Sequence, residues 1–259
     1  MAKQVPKTKF PTAATVSYER ELVKMVALVG KEALKLFDKH VANEIMHGDA
    51  VTFTNDSIFD GLKKMFQSLK KKANDTFSSS KKERAADQFV KNVNRVNRHN
   101  LEQQMKVKGI NLVATEPWLK DFMQQHIKNN VGYIKNIEIE MYERIDQAVR
   151  DGVKNGASTK AIRKAIMEQT DISEGRAQFL AVDQAGSILG QMTAERHQRL
   201  GIEKFTWDTS GDERVRDSHR ELDGKVFSYD GLPTINGRVV LPGEDYRCRC
   251  VALPMFEDE

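Results

Sequence analysis

The amino-acid sequence predicts an α+β protein, in which a mainly α-helical body with long helices precedes a small mixed α/β domain with short strands. Up to about residue 200, apolar residues recur every three or four positions, which is the spacing of one helix face. Beyond Gly201 this spacing stops, and glycine and proline punctuate the chain at short intervals, which favours turns and strands. The predicted regions are an extended N-terminal arm over residues 1–15, a first helical region over 16–75, a helical body over 76–200 and the small mixed domain over 201–259.

The N-terminal arm carries two prolines and little periodicity, so we expect it to become ordered only against a partner. One long amphipathic helix follows, because apolar residues from Tyr18 to Val41 fall on one face. That helix should end near His47, where a Gly-Asp pair follows.

A second and a third helix complete the first half of the chain. Asn55, Asp56 and Ser57 are candidate N-caps for the second, since their side chains accept hydrogen bonds from free backbone amides. The serines after Phe77 predict a break, and a third helix should run over residues 85–105. Four asparagines, at 92, 94, 97 and 100, disfavour that third helix locally.

Further helices are predicted up to residue 200. Pro117 suits the first position of a helix, because an amide there has no partner to lose, and a separate apolar stripe covers residues 134–149. Ser158 or Thr159 should cap a short helix, and Ser173 should cap a longer one that extends to about residue 200. In the small domain, residues 204–207 and 237–241 are predicted strands.

Composition limits the classes of protein that fit. Hydrophobic residues make up 39% of the 259 residues, and no apolar run reaches the roughly 18 residues that cross a bilayer. We therefore expect no membrane interaction and synthesis in the cytoplasm. The two cysteines are separated by one residue, and a bridge between them would close a very small ring, so we expect thiols or metal ligands.

Positive charge is concentrated between Gly61 and Lys108, which contain 13 lysines and arginines but 4 acidic residues, within a chain of net charge +4. Three interpretations are open: a solvated helix face, contact with double-stranded DNA through its phosphates, or contact with an acidic protein. The candidate DNA-contacting residues are Lys63, Lys64, Lys70, Lys71, Lys72, Lys81, Lys82, Arg84, Lys91, Arg95 and Arg98.

The small domain holds the soft metal ligands. His219, Cys248 and Cys250 together offer the imidazole and thiolates that zinc prefers, and Asp212, Asp217, Asp223 or water would supply a fourth ligand. In the alternative interpretation no metal is bound, His219 hydrogen-bonds a carboxylate, and the cysteines pack as small buried hydrophobic residues.

Charges of alternating sign surround His219. We expect arginine side chains to clamp carboxylates there and to pin the loops of a domain with little apolar core. The predicted ion-pairing residues are Asp212, Arg214, Arg216, Asp217 and Asp223. We assign no catalytic residue, because the sequence identifies no nucleophile and no glycine-rich phosphate loop.

Several of these motifs occur in the order that is typical of one family. The chain reads Asp-Glu-Arg-Val-Arg at 212–216, His219, Leu-Asp-Gly-Lys-Val-Phe at 222–227, Pro-Gly-Glu-Asp at 242–245 and Cys-Arg-Cys at 248–250. It thereby resembles the phage Mu F-like minor head proteins of the phage head morphogenesis family. The resemblance extends back to residues 130–137 and 176–184 and covers roughly the last half of the chain. Val182 stands where the family motif has an arginine.

The resemblance implies a structural, non-enzymatic minor head protein of a tailed phage. Such a protein joins the portal vertex during procapsid assembly and accompanies DNA at ejection, with the scaffold or major capsid protein as further partners. It would reside in the virion, at the portal or neck or inside the capsid, and in the host cytoplasm during assembly. We expect the portal-docking surface within residues 16–75.

Two other functions compete with this expectation. Modules with this signature are similar to parts of larger toxin-bearing phage proteins, so the runner-up is a metal-dependent enzyme acting on nucleic acid. A free DNA-binding factor is a third possibility, for which affinity would fall steeply with salt.

Overall fold

Long α-helices precede a few short antiparallel strands, as the sequence predicts. The computed structural model describes residues 5–47, 56–112 and 115–256. The helices are α1 (Thr12–Phe37), α2 (Asn43–His47), α3 (Asp56–Thr76), α4 (Ser79–Val107), α5 (Leu119–Lys154), α6 (Thr159–Arg199) and α7 (Asp217–Arg220). A π-helical turn, Asp38–Ala42, joins α1 to α2. The strands are β1 (Lys204–Asp208), β2 (Val226–Ser228), β3 (Thr234–Ile235), β4 (Arg238–Val239) and β5 (Val251–Met255).

The chain divides into two compact units. Unit 1 combines residues 1–18, 86–128 and 179–259, and unit 2 combines residues 19–85 and 129–178. No helix within the described ranges is long and apolar enough to span a membrane.

Unit 2 is a helical unit whose core comes from one face each of α1, α3, α5 and α6. Leu22, Val26 and Val29 of α1 and Ile134 and Ile145 of α5 are buried, at the spacings that the sequence predicts. One glycine of this unit lets two parts of the backbone approach closely. A Cβ at Gly61 of α3 would lie 2.1 Å from the backbone oxygen of His40 in the π-helical turn, so this position requires glycine. Asn55, a predicted cap of α3, lies outside the described residues.

Two helices are longer than predicted. Residues 119–154 form the single helix α5, although the sequence suggests two segments. Ser158 caps α6 as predicted, because its Oγ accepts a hydrogen bond from the amide of Ala161 at 3.2 Å. The prediction of a second cap at Ser173 is wrong. Ser173 lies inside α6 and its hydroxyl donates to the carbonyl of Gln169, so the helix continues past it.

Unit 1 contains the small sheet together with residues 86–107 of α4, 119–128 of α5 and 179–199 of α6. The sheet has the order β2–β1–β5 and is antiparallel, while β3 and β4 form a separate two-stranded pair. β1 occupies the predicted position, and β4 is the short remnant of the strand predicted over 237–241. β5 was not predicted, because Pro254 argues against a strand. Proline fits there because β5 is an edge strand that pairs only with β1.

The N-terminal segment, residues 5–15, is held in place by contacts with other residues of the same chain. Thr8 is buried, and its hydroxyl donates to the carbonyl of Ala252 in β5 at 2.9 Å. The side chain of Asn100 in α4 accepts from the amide of Lys9 and donates to its carbonyl. The expectation that residues 1–15 form an arm ordered only by a partner therefore needs correction for residues 5–15: this stretch packs within unit 1, and its last four residues belong to α1.

A buried arginine explains two of the four asparagines that disfavour α4 in the sequence, Asn94 and Asn97. Arg196 of α6 is 2% exposed and donates to Glu116 at 2.7 Å, to Asn97 at 2.6 Å and to Asn94 at 2.8 Å. Arg98 lies 3.3 Å from the same Glu116 carboxylate. Asn94 and Asn97 therefore make tertiary hydrogen bonds, and these bonds offset the weak helix propensity of asparagine.

The Glu116 carboxylate supplies a pH-dependent part of the stability of unit 1. Burial opposes its ionisation, but the hydrogen bonds and charges of Arg196 and Arg98 outweigh burial, so the pKa of Glu116 lies below its ordinary value. In the unfolded chain that carboxyl binds protons more readily. The stabilisation is therefore fully present above the ordinary glutamate pKa, about 4.3, and is lost as the pH falls through the folded-state pKa.

We predict that Glu116→Gln lowers the free energy of unfolding of unit 1 by about 2 kcal/mol at pH 7, because it leaves a buried guanidinium without its counter-charge. The difference from wild type should shrink as the pH falls to about 3.5. Urea unfolding followed by tryptophan fluorescence measures it, since both tryptophans, Trp118 and Trp207, lie in unit 1. A difference that is constant with pH would contradict the assignment.

Candidate functional site

The C-terminal module, residues 202–256, packs against α6 backbone to backbone. A Cβ at Gly186 would lie 2.4 Å from the carbonyl oxygen of Cys248 and 2.6 Å from that of Gly243. One turn further along, a Cβ at Gly190 would lie 2.3 Å from the oxygen of Pro242. Both glycines are therefore required by the close approach of another backbone, and this contact fixes the segment that carries the two cysteines.

The module has a small apolar core in which the cysteines take part. The largest members are Phe205 and Trp207 of β1, both fully buried, with Tyr229 beside them. Cys248 and Cys250 are each 4% exposed and pack in the same cluster. Arg247, just before them, has φ of 52°, and this left-handed turn directs the chain into β5.

The structure brings together the three predicted soft ligands. His219 lies in α7, and its Nδ1 is 3.4 Å from Sγ of Cys248 and 3.5 Å from Sγ of Cys250. All three side chains are buried, and their donor atoms lie within 4.8 Å of one another. The possible fourth ligands do not join them, since Asp212, Asp217 and Asp223 are outside the cluster that the described residues form.

Asp245 hydrogen-bonds the His219 ring on the side away from the cysteines, at Nε2. Its Oδ2 lies 2.9 Å from Nε2 of His219 and 2.8 Å from the guanidinium of Arg216. Because a carboxylate only accepts, we place a proton on Nε2, and Arg216 shares the same oxygen rather than bonding the ring. The predicted histidine–carboxylate hydrogen bond is thus present, and it fixes the direction in which Nδ1 points.

The thiols and the imidazole change one another's acidity. Hydrogen bonding from Cys250 and from His219 lowers the pKa of Cys248 to about 5, against the opposing effect of burial. The neighbouring Cys248 sulfur and burial raise the pKa of the Cys250 thiol. Hydrogen bonding to Cys248 and to Asp245 raises the pKa of His219, although burial acts in the other direction.

The predicted ion-pairing residues divide into three kinds. Asp212 accepts two hydrogen bonds from Arg249 at 2.7 and 2.8 Å, and Arg216 pairs with Asp245, so both bind partners outside the alternating run. Asp223 instead accepts from the amide of Thr209 at 2.8 Å and closes a loop. The side chains of Arg214 and Asp217 are exposed and lie 3.9 Å from Glu213 and Arg220, respectively.

Two residues to which the sequence assigns no part in the cluster, Asp245 and Trp207, lie beside it. Asp245 belongs to a motif that the sequence displays, but the carboxylate partner of His219 is identified only by the fold. The indole nitrogen of Trp207 is buried without a hydrogen-bond partner and lies close enough to Cys250 to favour its thiolate. No local pattern in the sequence indicates that contact.

A cleft of about 540 Å³ opens beside the cluster. Arginines line it, together with the exposed ring of Tyr246 and the partly exposed ring of Phe179. His219 and both cysteines also contribute to its wall. The cleft gives solvent and ions a route to the three ligand atoms.

Comparisons with known proteins confirm the resemblance that the motifs indicate. Residues 143–253 match the family described as Phage Mu protein F like protein, and over those residues the chain is similar to this family. The matched segment contains α6 from end to end and the module with its cysteine–histidine cluster. No solved structure matches the chain with significance.

Three relatives bear on function. An uncharacterized protein of Haemophilus influenzae is 29% identical over 92% of this chain and 55% of its own length. The NAD(+)--arginine ADP-ribosyltransferase EFV of Enterococcus faecalis is 30% identical over 46% of this chain and 26% of its own length. Minor head protein GP7 of Bacillus phage SPP1 is 23% identical over 54% of this chain and 51% of its own length. The chain thus spans about half or less of these relatives. The family and GP7 support a structural role in a phage head.

We predict that Gly186→Ala lowers the free energy of unfolding of unit 1 by about 2 kcal/mol, because the new methyl group forces two backbones apart. Gly175→Ala on the same helix is the matched control, since a Cβ there meets nothing within 4 Å. That control should leave the unit 1 transition unchanged and slightly stabilise the helix. Urea titration measures both, and equal transitions for the two variants would contradict the close contact.

Proposed function

We propose that this protein is a structural minor head component of a tailed phage, attached at the portal vertex during procapsid assembly and in contact with DNA. The observation that carries the proposal is the family match over residues 143–253, together with the minor head protein among the relatives. Long helices provide extended surface for docking on an oligomeric ring. We infer that the protein acts by attachment rather than by catalysis.

Portal docking is assigned to unit 2, on the face formed by α3 and α5. Phe59 is 61% exposed there, the most exposed large ring of α3. It borders a cleft of about 360 Å³, whose wall includes Lys63, Lys70 and Arg150. An exposed aromatic side chain flanked by cations suits an acidic, partly apolar site on a partner, because such residues dominate protein–protein binding energy.

Deleting the first 75 residues is not a clean test of this surface. Tyr18 is buried in unit 1 and stacks on Phe89, with ring centroids 4.1 Å apart. The rest of α1, together with α3, supplies much of the core of unit 2. A truncation would therefore disrupt folding as well as binding, whereas surface point variants separate the two effects.

We predict that Phe59→Ala weakens binding to the cognate portal protein at least tenfold, which corresponds to about 1.4 kcal/mol. Met167→Ala is the matched control, because Met167 is 54% exposed on α6 of the same unit. Co-purification and surface-immobilised binding assays with the full-length chain measure the affinity. Unchanged binding by Phe59→Ala, or equal losses in both variants, would contradict the assigned surface.

DNA contact is assigned to the outer face of α3. Lys64 and Lys71 are exposed opposite the buried apolar stripe of that helix, and Lys63 and Lys70 are exposed at its side, where they also border the cleft. Some of the candidate cations are unsuitable. Lys82 is buried and bound to Glu138 at 2.7 Å, and Arg98 is bound to Glu102 and Glu116. Lysines that remain exposed to solvent are the ones that can release counterions on binding phosphate.

We predict that the triple variant Lys63→Gln, Lys64→Gln, Lys70→Gln binds double-stranded DNA more weakly. The slope of the logarithm of affinity against the logarithm of salt concentration should fall by up to about 3, roughly one for each lost phosphate contact. Fluorescence anisotropy over a salt series measures this slope.

The matched control removes the same charge elsewhere in unit 2, at Lys154, Lys160 and Lys164, which are also exposed. Equal slopes for the two triple variants would show that net charge alone, rather than α3, determines the affinity. The same mixtures, supplied with supercoiled plasmid and Mg²⁺ or Zn²⁺, should show binding without strand cleavage. Cleavage abolished by His219→Ala would instead favour the metal-dependent enzyme.

A further inference from the structure

We propose that His219, Cys248 and Cys250 bind a zinc ion, with the fourth coordination position open to the adjacent cleft. This inference stands independently of portal binding and DNA contact, because it concerns only the internal geometry of the module.

The three donor atoms are spaced as they would be around one tetrahedral metal ion. Zinc binds thiolate sulfur at about 2.3 Å and imidazole nitrogen at about 2.0–2.1 Å, so nitrogen and sulfur ligands lie about 3.6 Å apart. The observed distances from Nδ1 of His219 are 3.4 Å to Cys248 and 3.5 Å to Cys250. Both sulfurs thus face the same nitrogen at ligand spacing.

The residues around the three ligands favour the protonation states that bind metal, which are a neutral imidazole and thiolates. Asp245 accepts from Nε2–H of His219, so Nδ1, the nitrogen that faces both sulfurs, is the atom left to bind metal in the neutral ring, the arrangement found behind metal-bound histidines. The amide of Cys250 donates towards Sγ of Cys248 at 3.4 Å. N–H donors stabilise thiolates rather than thiols.

The charge of the ligands and the access of solvent to them also suit a zinc site. Two thiolates balance the two positive charges of zinc, while the carboxylate of Asp245 is balanced by Arg216. The ligands are buried, but they form part of the wall of the cleft of about 540 Å³, so a water molecule can complete the tetrahedron. Since no carboxylate of the described residues joins the cluster, we assign the fourth position to water.

A bound ion would cross-link two parts of the module that share little regular structure. His219 belongs to the loop region between β1 and β2, and the cysteines immediately precede β5. Zinc would therefore tie this loop to the sheet and, through Cys248, to the backbone contact with Gly186 of α6.

The test is metal analysis of the purified full-length protein. We expect about one equivalent of zinc per chain after gel filtration, and none in Cys248→Ser or Cys250→Ser. His99→Ala is the matched control, because His99 is an exposed histidine of the same unit and should retain the metal. Asp245→Asn keeps all three ligands and should weaken zinc binding about 10- to 100-fold in chelator competition, as expected of a positioning residue.

Cobalt substitution of the wild-type chain keeps the test independent of variant folding. Co²⁺ should give thiolate charge-transfer absorption and the intense ligand-field bands of a tetrahedral site, both displaced by one equivalent of Zn²⁺. The proposal is overturned if the folded wild-type chain binds zinc more weakly than micromolar, or gives an octahedral cobalt spectrum. It is equally overturned if zinc leaves the reaction rate of the two thiols with a disulfide reagent unchanged.

Discussion

The close contact between α6 and the C-terminal module is the constraint on which the rest of unit 1 depends. Gly186 and Gly190 allow the backbone of residues 242–248 to lie against the helix without intervening side chains. That approach places Cys248 beside the helix, and its neighbours then direct β5 into pairing with β1. The position of the cysteine–histidine cluster follows from this packing, because the segment that carries both cysteines lies directly against the helix.

Polar side chains make many of the contacts that fix the loops and helices of unit 1. The module buries Phe205, Trp207 and few other large apolar residues, so its loops rely on directed contacts such as that of Asp212 with Arg249. The same holds around Arg196, where asparagines that weaken a helix locally satisfy a buried guanidinium. Directed contacts of this kind specify one arrangement of loops and helices, because a misplaced partner would leave a buried charge unpaired.

The sequence predicts the helical architecture well because apolar spacing directly reflects which helix faces are buried. It places β1, the Ser158 cap and the break before α4 close to where they are observed. It fails at Ser173, where a hydroxyl bonds back to its own helix, because cap residues and helix-internal serines look alike in a sequence. It also fails at β5, since Pro254 is acceptable only on an edge strand, and edge position is a tertiary property.

The candidate site, too, is only partly predictable from the sequence. His219, Cys248 and Cys250 are recognisable as rare ligand types, and the structure brings them together. Their supporting residues, Asp245 and Trp207, are identified only from the fold, because common residue types acquire such roles through contacts distant in sequence. The ion-pair signature as a set stays a prediction, and Asp212 and Arg216 bind partners at 249 and 245 rather than within the alternating run.

The family match and the minor head relative support a structural role within a phage head, and we propose that the helical unit 2 carries the docking surface. The most direct measurement is cryo-electron microscopy of purified particles, combined with quantification of the chain in the same sample by mass spectrometry. We predict a few copies per particle and density for the long helices at the portal vertex. Particles that lack the chain while it accumulates free in the host cytoplasm would contradict the structural role.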